Sequence, residues 1–123
     1  MHLSLVVIKT NQLAPVRDFY KGLGVQFQEE KHGNGPVHFS ATIGNTVLEI
    51  YLLPKSVSTV DTTTRLGFMV ENLDETFESI KQSGVQMVSE PKQTEWGYNA
   101  VVKDPDGRVI ELNQKKDKTK ITT

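Results

Sequence analysis

Two carboxylates in matching surroundings are the first candidates for chemistry in this chain. Glu49 lies within Val47-Leu48-Glu49-Ile50-Tyr51, and Glu111 within Val109-Ile110-Glu111-Leu112-Asn113. The echo is part of an internal repeat, because Gly24-Val25-Gln26 also returns as Gly84-Val85-Gln86. The same alignment pairs Leu5 with Arg65. A carboxylate can serve as a general base or ligate a divalent ion. Leucine offers no lone pair, and a guanidinium stays protonated and repels a metal ion. The four paired positions thus hold two candidate bases, one fixed cation and one inert side chain.

Three histidines complete the inventory. His2 precedes Leu5 by an odd number of residues, so strand alternation turns it to the opposite face. His32 adjoins Gly33-Asn34-Gly35 and reads as a solvated loop residue. His38 belongs to the alternating set His38, Ser40, Thr42, and reads as a half-exposed strand residue able to line a cavity. None replaces a missing metal ligand. The chain has no cysteine, which excludes disulfides, thiolate metal sites and cysteine nucleophiles. Gly33-Asn34-Gly35 precedes a strand rather than opening a helix, so it is not a phosphate loop. No serine has a histidine placed to form a triad.

The elements that must position these residues follow from periodicity. His2–Thr10 alternates and is β-branched, which predicts a strand. Leu13, Val16, Phe19, Tyr20 and Leu23 form a helical face over Gln12–Leu23, closed by Gly24, with Pro15 in the first turn. Strands are expected over Val25–Glu30, Val37–Ile43 and Thr46–Leu53, with a hairpin at Gly44-Asn45. Pro54–Asp61 is a polar connector. The order then repeats as strand Thr64–Val70, helix Leu73–Ser83 capped by Asn72 or Asp74, and strands Gln86–Glu90, Tyr98–Lys103 and Arg108–Asn113. Asp104-Pro105-Asp106-Gly107 is a tight turn. Phe19, Tyr20, Phe77 and Ile80 are at helical spacing and should be core.

Composition narrows the class. The 123 residues suit one domain, with one module over about 2–54, a second over about 62–114 and a tail at 115–123. Each module is too short to bury a core alone, so the two are expected to form one unit. The net charge of −1 and pI of about 6.3 leave no footprint for nucleic acid or an anionic membrane. No stretch nears the roughly 20 apolar residues of a membrane span. Met1 leads directly into an alternating strand, without the pattern of a signal peptide. A cytoplasmic protein is the default expectation, and the tail reads as solvated and disordered.

Two βαβββ modules, with Asp18-Phe19-Tyr20 and Gly22-Leu23-Gly24 in the first helix, resemble the vicinal oxygen chelate superfamily. The turn Asp104-Pro105-Asp106-Gly107 running into Val109-Ile110-Glu111-Leu112, preceded by Trp96-Gly97, is similar to that family's ending. The superfamily includes glyoxalase I, extradiol dioxygenases and the bleomycin and fosfomycin resistance proteins. The resemblance implies an α+β fold in which the two modules form a curved mixed sheet around a cleft. It also implies a homodimer. Metal-dependent members place ligands on the first and last strand of each module, which here are Leu5, Glu49, Arg65 and Glu111. Leu5 stands where the family carries His or Gln, and Arg65 where it carries His, so no metal and no other cofactor is expected.

On that fold Arg65 is expected between Glu49 and Glu111, as a fixed cation where a divalent ion would be. Two convergent carboxylates repel, and a guanidinium fork relieves the repulsion. With Glu49 inward, Val47, Tyr51 and Leu53 share its face, while Leu48, Ile50 and Leu52 lie under a helix. Gly67 and Met69 flank Arg65, and Asn113 flanks Glu111. Trp96 could stack on a ligand, though a single loop tryptophan more often anchors packing. The expected ligand-binding set is Arg65, Tyr51, Met69, Trp96, Asn113 and His38, and the candidate catalytic set is Glu49, Glu111 and Arg65. Such a bowl suits a small amphipathic ligand with one anionic group. The first reading is therefore a metal-independent small-molecule binding protein of the bleomycin-resistance kind. A metal-free lyase or isomerase using Arg65 and a glutamate is the alternative, with a metal-dependent lyase or dioxygenase third. The Arg65 group could equally be a purely structural ion-pair triad.

Overall fold

The computed structural model describes residues 1–115, and the expectation for the tail lies outside them apart from Lys115. The chain divides into two compact units at Thr62/Thr63. The first comprises β1 (Leu5–Thr10), α1 (Leu13–Gly22), β2 (Gln28–Glu30), β3 (His38–Ile43) and β4 (Thr46–Leu52). The second comprises β5 (Leu66–Val70), α2 (Leu73–Lys81), β6 (Met87–Thr94), β7 (Gly97–Lys103) and β8 (Val109–Gln114). Their sheets have the same order, β1-β4-β3-β2 and β5-β8-β7-β6. In each, the first and last strands pair in parallel and the others antiparallel. The βαβββ repeat read from the sequence is thus the fold.

Local chemistry explains the boundaries. In α1, Pro15 falls in the first turn, where a missing N–H removes no helical bond. Gly24 takes φ +106° and its N–H bonds to the Lys21 carbonyl, a helix stop that a Cβ would strain. Asn72 caps α2 by accepting from the Glu75 N–H at 3.2 Å. Gly44, at φ +59°, begins the two-residue turn joining Ile43 to Thr46.

Each helix buries one stripe against its own sheet. Val16, Phe19 and Tyr20 of α1 are buried with Ala41, Leu48 and Ile50. Leu73, Phe77 and Ile80 of α2 are buried with Ala100, Val102, Ile110 and Leu112. Each such large apolar side chain contributes about 1.5–3 kcal/mol by leaving water. Leu52, expected under a helix, is instead exposed, at the last position of β4. Strand β6 runs on through Pro91 to Thr94, past the expected end at Glu90. It is an edge strand with register shifts against β7, so a residue without an N–H is tolerated.

The turn at Asp104 does more than reverse the chain. Arg108 is 2% exposed, and its Nη1 donates to Asp104 Oδ2 at 3.0 Å and Asp106 Oδ2 at 2.9 Å. Asp104 Oδ1 also accepts from the backbone N–H groups of Asp106 and Arg108. Burial alone would lower the Arg108 pKa, but the two aspartates outweigh it and hold it above the ordinary arginine value. The expected turn is therefore a buried ionic knot.

Candidate functional site

Strand register places the repeat-paired residues on the sheet faces turned away from the helices. Val7 stands opposite Glu49 in the first unit, and Gly67 opposite Glu111 in the second. Leu5 and Arg65 each come two residues earlier, so the pairing of Leu5 with Arg65 and of Glu49 with Glu111 is structural as well as sequential. Leu5 is a half-exposed apolar side chain. Arg65 lies just before β5, and its Nη2 donates to Glu111 Oε1 at 2.8 Å. The pair is open to solvent, with side chains 59% and 39% exposed.

Around that pair the second unit presents a mixed surface. Met69 is exposed, and Asn113 accepts a hydrogen bond from Asn99 Nδ2 at 2.6 Å. Gly67 leaves room beside the carboxylate, since an added Cβ would meet Glu111 Oε2 only at 3.9 Å. Trp96, in the turn between β6 and β7, is 88% exposed and is not a packing anchor within its unit. Tyr98, which was not singled out, donates its hydroxyl to Asp74 Oδ1 at 2.7 Å, and this bond raises the phenol pKa.

The first unit gathers a cluster that the sequence reading did not assemble. His38 is 1% exposed rather than half-exposed. It stands across from Glu30 on β2, and its ring stacks on Tyr51 of β4 with centroids 4.2 Å apart and planes 9° from parallel. Its Nε2 lies 3.5 Å from Glu30 Oε2 and 3.4 Å from Glu49 Oε2, yet makes no hydrogen bond. His32 folds over the same group, with Nε2 3.3 Å from Glu30 Oε2. The donor atoms of Glu30, His32 and His38 all lie within 4.8 Å of one another. Burial and then the Glu49 and Glu30 carboxylates push the Tyr51 pKa up, so this phenol keeps its proton.

Glu30 was not singled out, and His32, read as a solvated loop residue, is indeed 75% exposed but reaches Glu30. The glycine-rich turn signalled that β2 folds back on β3, but not that Glu30 would stand against His38. Of the three residues expected to form a triad, the two in the second unit do pair, while Glu49 has the buried His38 as a neighbour. A hollow of about 790 Å³ also lies in the first unit, lined by Arg17, Lys21, Phe27, Glu29 and Phe39 among others, and includes no expected site residue.

Two of the four repeat-paired positions, Leu5 and Arg65, lack the lone pair a metal ligand needs. Leu5 contributes no donor atom, and the Arg65 guanidinium already occupies one oxygen of Glu111 with a positive charge. Among the described residues no helix is long and apolar enough to cross a membrane.

Comparison with known proteins agrees with this architecture. The profile of the Glyoxalase/Bleomycin resistance protein/Dioxygenase superfamily matches residues 2–112. A curated relative, the uncharacterized protein YetH of Bacillus subtilis (strain 168), is 40% identical over 47 residues. That match covers 38% of this chain and 39% of YetH, so the chain spans about two fifths of the relative's length. Among solved structures, TnmS3, an antibiotic binding protein from Streptomyces sp. CB03234, superposes with a TM-score of 0.75 at 24% identity. The superposition covers 94% of this chain and 97% of that one. The oxidase ChaP-H2 gives a TM-score of 0.75 at 17% identity, covering 96% of each chain. These likenesses establish the fold.

Proposed function

The chain belongs to the Glyoxalase/Bleomycin resistance protein/Dioxygenase superfamily, and from that premise we propose that it is a binding protein for a small anionic or amphipathic molecule, acting without a metal at Leu5, Glu49, Arg65 and Glu111. One observation carries the reading. Arg65 is more than half exposed, and among the described residues it spends only the Nη2 bond to Glu111. A guanidinium has five N–H donors in a fork matched to carboxylate and phosphate oxygens, so most of its capacity faces outward. Met69 supplies exposed apolar surface beside it, and Asn113 a polar edge. That one structural relative is an antibiotic binding protein supports a binding role, although fold alone does not fix function. The same proposal holds that the protein is cytoplasmic and homodimeric.

A second reading is favoured by the free side of the carboxylate. Arg65 bonds Glu111 Oε1, while Oε2 lies beside the space left by Gly67. Glu111 could then act as a general base on a substrate held by Arg65, as in a lyase or isomerase.

The experiment begins with a thermal-shift screen of small carboxylates, phosphates and aromatic antibiotics, followed by affinities for Arg65 and Glu111 variants. Binding predicts that Arg65→Lys weakens an anionic ligand, because a point charge cannot reproduce a fork. Glu111→Gln should change affinity little. Catalysis predicts that Glu111→Gln abolishes turnover with affinity within a few fold. A ligand held equally by wild type and Arg65→Ala would defeat both readings.

A further inference from the structure

We infer that the first unit carries a divalent transition-metal site centred on His38 and built from Glu30, His32 and His38, with solvent completing the coordination. The site is not the set of four repeat-paired positions, and it departs from the expectation that no histidine could stand in for a missing ligand. Its core is a buried imidazole nitrogen without a hydrogen-bond partner. His38 Nδ1 lies 3.3 Å from the Pro36 carbonyl oxygen. A carbonyl only accepts, so a hydrogen bond there uses the proton of Nδ1, and the tautomer that makes it leaves a lone pair on Nε2. That lone pair is buried and unpaired, and it points at two carboxylate oxygens 3.4 and 3.5 Å away. Three sets of lone pairs converging in a desolvated spot repel unless a cation sits among them.

The spacing matches that cation. Zinc binds imidazole nitrogen and carboxylate oxygen at about 2.0–2.2 Å in a tetrahedron, which sets neighbouring donors roughly 3.3–3.5 Å apart. Two edges of this group are 3.3 Å for His32–Glu30 and 3.5 Å for His38–Glu30. The Glu30 carboxylate, with Glu49 3.4 Å from His38 Nε2, offsets the charge of a divalent ion. The bond from His38 Nδ1 to a backbone carbonyl is the outer contact that orients and strengthens a metal-binding imidazole. The Tyr51 ring stacked on His38 prevents it from swinging away. His32 is 75% exposed, so an ion can enter from solvent and His32 can close behind it. Imidazole and carboxylate donors without thiolate select zinc, cobalt, nickel or iron(II) over calcium or copper(I).

The test is a calorimetric titration of the EDTA-treated full chain with zinc chloride. One equivalent per chain is expected. His32→Ala and Glu30→Gln replace solvent-accessible groups and should fold, and each should weaken zinc by about tenfold or more. His2→Ala, which removes an exposed histidine outside the cluster, should leave affinity unchanged. Cobalt(II) should give the visible absorption of a tetrahedral site in wild type and lose it in Glu30→Gln. Nitrogen NMR should show the His38 Nε2 resonance shifting on zinc addition. Equal zinc uptake by wild type and both cluster variants would overturn the inference. So would absence of uptake with His38 protonated on both nitrogens, since a proton would then be the missing cation. Neither result touches Arg65 or needs an organic ligand, so failure here is distinguishable from failure of the proposed binding function.

Discussion

Replacing Arg108 by methionine should be among the most damaging single changes in the second unit, although Arg108 belongs to neither candidate site. Its guanidinium neutralises Asp104 and Asp106, whose side chains are 0% and 4% exposed. Methionine fills much of the volume but withdraws the guanidinium that both buried carboxylates hold. Removing one partner of a buried ion pair costs about 3–5 kcal/mol. Against a total stability of about 6–18 kcal/mol for 123 residues, that is a large fraction. The melting temperature should fall by about 10–20 °C. Arg65→Ala provides the internal comparison, because it breaks an ion pair of similar length in a solvated setting. Screening limits that loss to about 1 kcal/mol or less, well below the destabilisation expected for a buried Glu49–Arg65–Glu111 triad. Urea and thermal unfolding, monitored by far-ultraviolet circular dichroism and by calorimetry, measure both. Adding Asp104→Asn to Arg108→Met should recover part of the loss, since the amide oxygen can still accept from the Asp106 and Arg108 N–H groups while the charge disappears. If Arg108→Met cost no more than Arg65→Ala, the argument from burial would be wrong.

Other expectations are smaller in scale. Asn72→Ala removes the α2 cap and should cost about 0.5–1 kcal/mol, the low end because the Leu73 N–H keeps its bond to Gln114 Oε1; denaturant titration reads this directly. Tyr98 has a folded pKa raised above 10 by its bond to Asp74, so its stabilisation is complete below pH 10 and is lost as pH climbs through the folded value. Wild type should therefore lose more stability than Tyr98→Phe in alkaline melts above pH 10, and equal slopes would contradict the assignment. Ultraviolet titration should likewise find Tyr51 ionising later than a free tyrosine, because burial and the Glu49 and Glu30 carboxylates oppose its charge.

The sequence by itself determined the repeated element order, the two helix faces and the turns, because these depend on periods of 2 and 3.6 residues and on glycine's access to positive φ. It also established the pairing of Glu49 with Glu111 and of Leu5 with Arg65, which strand register reproduces. Strand ends were less legible. Hydrophobic alternation runs from His2 and Thr64, whereas pairing with the parallel partner begins at Leu5 and Leu66. What only the tertiary structure decided was which residues meet across strands and which charges leave water. Alternation assigns a face but not a neighbour, so nothing in the chain announced that Glu30 lies across from His38, or that Tyr51 stacks on it. Nor did one arginine in a polar turn differ visibly from another just before a strand. Arg108 is enclosed because the turn wraps Asp104 and Asp106 around it, and Arg65 remains in solvent because Glu111 is its only described partner. Burial depends on what the rest of the unit places around a side chain, and that is settled only when the sheet closes.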